Sequence, residues 1–363
     1  MIRVLLVDDS PVAITIMKRM LSLSTDISVV GTAENGREAL DLIPQVKPDV
    51  ICTDLHMPVM DGLEFTREVM SQYPRPILLV SISGHDGSLD AFKVMEAGAV
   101  DIFPKPKAGS QLDYEKNAPE FIRKIRILSG VRVFRRSRPH LDSVMGTSEL
   151  KELGPRFQIP ISRISIVVIG ASTGGPDALR TIFSQMPRDF PLPVVCIQHI
   201  AEGFSGGLVE WFSSQCTAKV RIATPGESPV AGVIYFPREG THLRIGGDGR
   251  FVHSVEPPLD GHRPSITITM ESLAHYYGNG VLSVLLTGMG RDGAEGMKAV
   301  ARAGGITIAQ DEQSSVVFGM SKQAIELNAA RYVLPLESIV RVISSLANDQ
   351  TGVRNHGRNE FSK

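Results

Sequence analysis

Cysteine is scarce in this chain, and the three present, Cys52, Cys196 and Cys216, are widely separated and lack metal-ligand spacing. Cys52 and Cys196 fall inside apolar runs, where a thiol serves as a small hydrophobe. An excess of one charge is missing too. Lys and Arg total 38 against 39 Asp and Glu, a formal net charge of -1, so no global field steers the chain toward nucleic acid or an anionic membrane. No uninterrupted apolar run approaches the length of a membrane span. The opening stretch reaches Asp8 and Asp9 too soon for a secretory signal peptide. These absences lead us to expect a soluble, cytoplasmic protein with no direct membrane insertion. Its 363 residues suit two domains better than one.

What is present is a rhythm. Apolar runs at 2–7, 27–31, 49–53, 77–82 and 99–103 alternate with helix-like segments at 11–22, 37–46, 62–72 and 88–97. Runs without polar alternation are buried on both faces, which predicts a doubly wound parallel sheet with its sites at the carboxyl ends of the strands. Residues 107–160 break the rhythm. They open on Lys107-Ala108-Gly109-Ser110, hold one helical segment at 118–128, and run into Arg132, Arg135, Arg136 and Arg138. That composition fits an interdomain linker, its basic run a solvated face. A second α/β pattern has runs at 164–169, 193–198, 219–223, 281–287 and 306–309, with helices at 176–186, 205–216, 265–277, 294–303 and 321–329. The glycine-punctuated, alternating stretch 231–256 predicts antiparallel hairpins. A last helix fits 336–347, followed by a polar tail.

The polar residues at the strand ends carry the chemistry. In the first pattern Asp8 and Asp9 follow the first strand and Asp54 the third, converging on an oxygen-rich pocket suited to Mg²⁺. With a cation to hold incoming phosphoryl oxygens, a carboxylate becomes a competent nucleophile. Ser81 can offer a hydroxyl and Lys105 an ammonium to the same group.

In the second pattern a strand runs into Gly170-Ala171-Ser172-Thr173-Gly174-Gly175-Pro176, the spacing of a nucleophile elbow, with helical N–H groups beyond it for an oxyanion. Such a loop also cradles phosphates, but it lacks both the Lys-Ser/Thr end of a P-loop and the full dinucleotide spacing. His199 ends the next strand and is either a general base or a structural hydrogen-bonding group. Asp292, in a glycine-rich turn after another buried strand, either orients an imidazole or caps the helix before Ala294. The order Ser, His, Asp disfavours an α/β-hydrolase. The competing reading is a phosphorylation-controlled module whose C-terminal half only binds a nucleotide or a partner. No helix-turn-helix with a basic recognition helix is apparent.

The first set of residues, with Met57-Pro58 and Asp61-Gly62 after Asp54, resembles the receiver domain of bacterial response regulators. Many receivers carry an aromatic residue three positions before the lysine; here that position is Ile102, with Phe103 beside it. Adding Gln198-His199, Thr287-Gly288-Met289-Gly290-Arg291-Asp292-Gly293-Ala294 and Gly261-His262-Arg263-Pro264-Ser265, residues 1–347 resemble the CheB family of chemotaxis regulators, protein-glutamate methylesterases that also deamidate glutamine. The resemblance implies a flavodoxin-like receiver at 1–106, a linker at 107–160, a catalytic domain at 161–347 and a tail at 348–363. It implies phosphorylation at Asp54 by a histidine kinase, Mg²⁺ on Asp8, Asp9 and Asp54, and phosphate sensing by Ser81 and Lys105. It further implies Ser172 as nucleophile, His199 as base and acid, and Asp292 as orienting carboxylate, with oxyanion donors at the backbone of Thr173 and Met289. The substrate would be a methyl-accepting chemoreceptor, with no cofactor for hydrolysis and no nucleic acid. His262 and Arg263 either line the cleft or pack in a polar loop.

Overall fold

The structure, a computed structural model, describes residues 1–82, 85–106, 111–133 and 163–356. Lys107 to Ser110, the arginines at 135, 136 and 138, and the end of the tail lie outside the described residues. The described residues divide into two compact units, one carrying a five-stranded sheet and the other a seven-stranded sheet.

In the first unit β1 (Ile2–Val7), β2 (Ile27–Ala33), β3 (Val50–Thr53), β4 (Ile77–Ser81) and β5 (Asp101–Pro104) pair in parallel in the order β2-β1-β3-β4-β5. The crossovers are α1 (Pro11–Ser22), α2 (Gly36–Val46), α3 (Gly62–Gln72) and α4 (His85–Ala97). Their starts are written locally: Ser10, Asn35 and Asp61 each accept a backbone N–H of the first turn, a cap worth about 1 kcal/mol. The segment that the sequence places in a linker forms α5 (Gln111–Leu128). Its Phe121, Ile125 and Leu128 join Val4, Leu6, Val50 and Leu78 in one buried cluster, so the core of this unit reaches beyond residue 106. Ile102 and Phe103 are both buried, and Phe103 packs on Phe121 with ring centroids 4.8 Å apart.

In the second unit β6 (Ile166–Ala171), β7 (Val194–Gln198), β8 (Lys219–Ile222), β9 (Val233–Phe236), β12 (Val281–Leu285), β13 (Ile306–Gln310) and β14 (Tyr332–Leu334) form a wholly parallel sheet in the order β14-β13-β12-β6-β7-β9-β8. Helices α6 (Gly175–Phe183), most of α7 (Ser205–Gln215), α8 (Ile266–Tyr277), α9 (Ala294–Arg302), α10 (Met320–Glu326) and α11 (Leu336–His356) accompany it. α11 continues past 347, where the sequence suggests a tail. The stretch 231–256 is only partly the predicted hairpin. β10 (His242–Ile245) and β11 (Phe251–Ser254) pair antiparallel, whereas β9 inserts parallel between β7 and β8. Its four residues are all buried, as a central strand requires, and alternation alone did not reveal that. Cys52 and Cys196 are fully buried in β3 and β7, and burial raises both thiol pKa values, which suits a packing role. Among the described residues no helix is long and apolar enough to cross a membrane.

Candidate functional sites

Register builds the acidic site. Val7 pairs with Thr53, so Asp8 and Asp54 are the next residues along adjacent parallel strands, and Asp54 N donates to Val7 O at 2.8 Å. Asp8 and Asp54 are buried while Asp9 is exposed, and single carboxylate oxygens of the three lie within 4.8 Å of one another. Lys105, just past β5, reaches both buried carboxylates, at 2.7 Å from Asp54 Oδ2 and 2.9 Å from Asp8 Oδ2. Its backbone N–H donates to Ser81 O at 2.7 Å, which brings the buried Ser81 to the same rim. Burial pushes the Asp8 carboxyl pKa up, against the pull of Lys105 and the Ser10 N–H, so one ammonium leaves this cluster short of positive charge. Asp8 Oδ2 is buried, with the Lys105 ammonium as its ion-pair partner and no hydrogen bond. A small divalent cation with oxygen ligands fits that deficit.

The same device builds the second site. Ala171 pairs with Gln198, so Ser172 and His199 are the next residues along β6 and β7, and His199 N donates to Ala171 O at 2.9 Å. The Gln198 side chain clamps the pair, its Nε2 donating at 2.8 Å to both Ser172 O and His199 O. Gly170 is required for packing: a Cβ there would lie 2.4 Å from Ile266 Cγ2, where the start of α8 presses on the strand. Gly288 is equally tight, since a Cβ on it would stand 2.7 Å from Ser172 Cβ. Ser172 N donates to Thr287 O at 3.1 Å, and Thr287 Oγ1 donates to Thr173 O at 3.0 Å.

His199 Nε2 is bonded to Asp292 Oδ2 at 2.8 Å. Its Nδ1 is buried with no hydrogen-bond partner among the described residues, which leaves that nitrogen for a hydroxyl on the neighbouring strand. Asp292 is not the cap of α9, whose N-cap is Gly293 with no side-chain bond. Instead it receives the N-terminus of α8: Ser265 Oγ at 2.8 Å, Ile266 N at 2.8 Å and Thr267 N at 3.0 Å. Burial works against the charge on Asp292. The His199 bond, its field and the two N–H groups outweigh burial and hold the carboxyl below the ordinary range. An anion on a helix N-terminus is in a favourable place. The arrangement suits orienting an imidazole and balancing its positive charge.

His262 and Arg263 separate. The His262 ring stacks on His199 with centroids 3.8 Å apart and planes 7° from parallel. Arg263 is exposed and turns away, its Nη1 donating to Val255 O at 3.1 Å and Glu256 O at 3.2 Å. Sequence reasoning did not single out Ser265 or Gln198 as working parts. Ser265 carries a visible helix-capping signal, but only the fold shows which carboxylate that helix meets.

A sheet ending in three carboxylates and a lysine, joined to a second sheet ending in serine, histidine and aspartate, defines the class: a response regulator with an enzyme as its output. The chain belongs to the CheB methylesterase family. The family model for CheB methylesterase matches residues 167–343, and that for the response regulator receiver domain matches residues 4–114. Among curated relatives, a protein-glutamate methylesterase/protein-glutamine glutaminase of Methanospirillum hungatei is 42% identical over 96% of this chain and 99% of its own. One from Syntrophus aciditrophicus is 39% identical over 96% and 99%. The crystal structure of the Thermotoga maritima CheB methylesterase catalytic domain is 36% identical, covers 50% of this chain and 98% of its own, and has a TM-score of 0.49.

Proposed function

We propose that this chain hydrolyses glutamyl methyl esters on the cytoplasmic region of methyl-accepting chemoreceptors and deamidates glutamines there, under the control of phosphorylation at Asp54. The observation that carries the reading is His199: one ring nitrogen is held by Asp292 at 2.8 Å, the other is buried and unpaired, and the residue stands next to Ser172 in strand register.

Ser172 Oγ attacks the ester carbonyl and passes its proton to His199 Nδ1, while Nε2–H stays bonded to Asp292. The carbonyl oxygen, now an anion, accepts the backbone N–H groups of Thr173 and Met289. Collapse expels methanol, which takes the proton from His199. A water then attacks the acyl-enzyme, again with His199 as base, and releases glutamate and Ser172. A glutamine side chain follows the same path and releases ammonia. No metal takes part in these steps.

In the first unit Asp54 takes a phosphoryl group from a phosphohistidine of a histidine kinase. Asp8, Asp9 and Asp54 would hold Mg²⁺, which when bound screens the carboxylates and orients phosphoryl oxygens. Lys105 and Ser81 contact the phosphoryl group once it is attached.

The test is methanol release from a methylated chemoreceptor fragment, using the full chain with and without a small-molecule phosphodonor. Ser172→Ala is expected to lower release by at least about 10³-fold while the chain still takes up phosphoryl groups. Unchanged release would remove Ser172 from the mechanism.

A further inference from the structure

Resting on that acyl-transfer reading, we infer that His242 is a positioning residue of the hydrolysis, acting through Ser265 on Asp292. His242 opens β10 and is fully buried. Ser265 N donates to its Nδ1 at 3.1 Å. Nδ1 therefore holds a lone pair, and the ring proton sits on Nε2, which faces Pro257 O at 3.2 Å. The ring thus joins a buried donor to a buried acceptor on two different segments.

The donor it serves belongs to the residue that starts the grip on the triad carboxylate. Ser265 Oγ donates to Asp292 Oδ1 and accepts Ile268 N at 3.3 Å as the cap of α8. The next two N–H groups, of Ile266 and Thr267, complete that grip. Two further bonds tie the hairpin to the same helix. Thr269 Oγ1 donates to Leu243 O at 2.8 Å, and Ile245 N donates to Ser272 Oγ at 3.1 Å. Positions 265, 269 and 272 fall at i, i+4 and i+7, one stripe of the helix. β10 lies along that stripe as a splint, with His242 at the end nearest Asp292. A displacement of about 1 Å in an orienting group can cost about 10²-fold in rate, so a splint that fixes the start of α8 acts on the chemical step.

The polarity of the ring supplies the test. In His242→Asn the amide oxygen stands near the Nδ1 position and can accept Ser265 N–H. In His242→Gln the amide reaches the Nε2 position, can serve Pro257 O, and leaves Ser265 N–H unpaired. Methanol release by the full-length variants from a methylated chemoreceptor fragment is measured for kcat and KM, with thermal midpoints recorded alongside. The expectation is a fall in kcat of about 10-fold to 100-fold for Gln, recovery to within about threefold of the native value for Asn, and KM within about twofold throughout. Equal kcat for the two variants, or a change confined to KM, overturns the assignment. Should the Gln variant fail to fold, Ser265→Ala and Ser265→Thr make the same comparison one bond nearer Asp292. Loss with Ala and recovery with Thr support the splint, and equal rates overturn it. Ser172→Ala in the same assay keeps the outcomes apart, because its retained activity would sink the acyl mechanism itself, whatever His242 does.

Discussion

The two sheets end in sites made by one trick and finished in opposite ways. In each, the last register pair of adjacent parallel strands, Val7 with Thr53 and Ala171 with Gln198, delivers the next two residues side by side. In the first sheet those residues are Asp8 and Asp54, two buried acids whose desolvation and repulsion Lys105 offsets only in part. In the second they are Ser172 and His199, backed by an aspartate that three donors from Ser265, Ile266 and Thr267 already hold. The lesson concerns charge. A site left short of positive charge answers to cations and phosphoryl groups, which is what a switch needs. A site whose charge is already satisfied stays in one geometry, which is what a proton relay needs.

The contrast breaks most visibly at Asp292. Asp292→Asn is expected to lower kcat for methanol release by about 10⁴-fold, because the amide disturbs the tautomer of His199. Phosphoryl uptake at Asp54 should be unchanged, and a loss under tenfold would mean that the carboxylate does not orient the ring. Next in size is metal binding. Mg²⁺ at about 100 times its dissociation constant should stabilise the first unit by about 2.7 kcal/mol, seen as an upward shift of its thermal midpoint. Asp8→Asn should shrink that shift, and the midpoint of the second unit should not move.

The acid behaviour of the two aspartates sharpens the comparison, since their signs differ. Asp292 is held below the ordinary carboxylate range, so its stabilisation is complete above the unfolded value of about 4 and fades only as pH falls through its own lower value. Asp292→Asn should therefore destabilise the second unit by about 1–3 kcal/mol at neutral pH and less in strong acid. Asp8 is raised by burial, so its ionised form costs stability above its folded value, and that cost vanishes below about 4. Without Mg²⁺, Asp8→Asn should raise the thermal midpoint of the first unit at neutral pH. A midpoint that falls would show Asp8 already compensated. The smallest effect is expected at Arg263. Its guanidinium serves the carbonyls of Val255 and Glu256, so Arg263→Ala should change KM by less than about twofold. A tenfold rise would return this arginine to the substrate cleft.

Much of this was legible without coordinates, for reasons that are local. A strand buried on both faces reads as an unbroken apolar run, a helix start reads as Ser10, Asn35 or Asp61, and a polar residue at a strand end reads as a candidate for the rim. Those signals yielded the parallel sheet of the first unit, the strand-end positions of Asp8, Asp54, Ser172 and His199, and Asp292 in its glycine-rich turn. β9 escaped them. Its four residues suit a hairpin or a central strand equally, and the choice rests on β7 and β8, which flank it on either side in parallel.

The residues by themselves therefore determined which groups stand ready at the strand ends, because propensity, capping and apolar period act over a few neighbours. Only the tertiary structure decided what each group touches: that α8 points its N-terminus at Asp292, that His262 lies flat on His199 while Arg263 turns away, and that His242 braces Ser265 from a hairpin 23 positions upstream. Hydrogen bonds between segments remote in sequence carry no periodic signal, so they come into being with the packing of the fold.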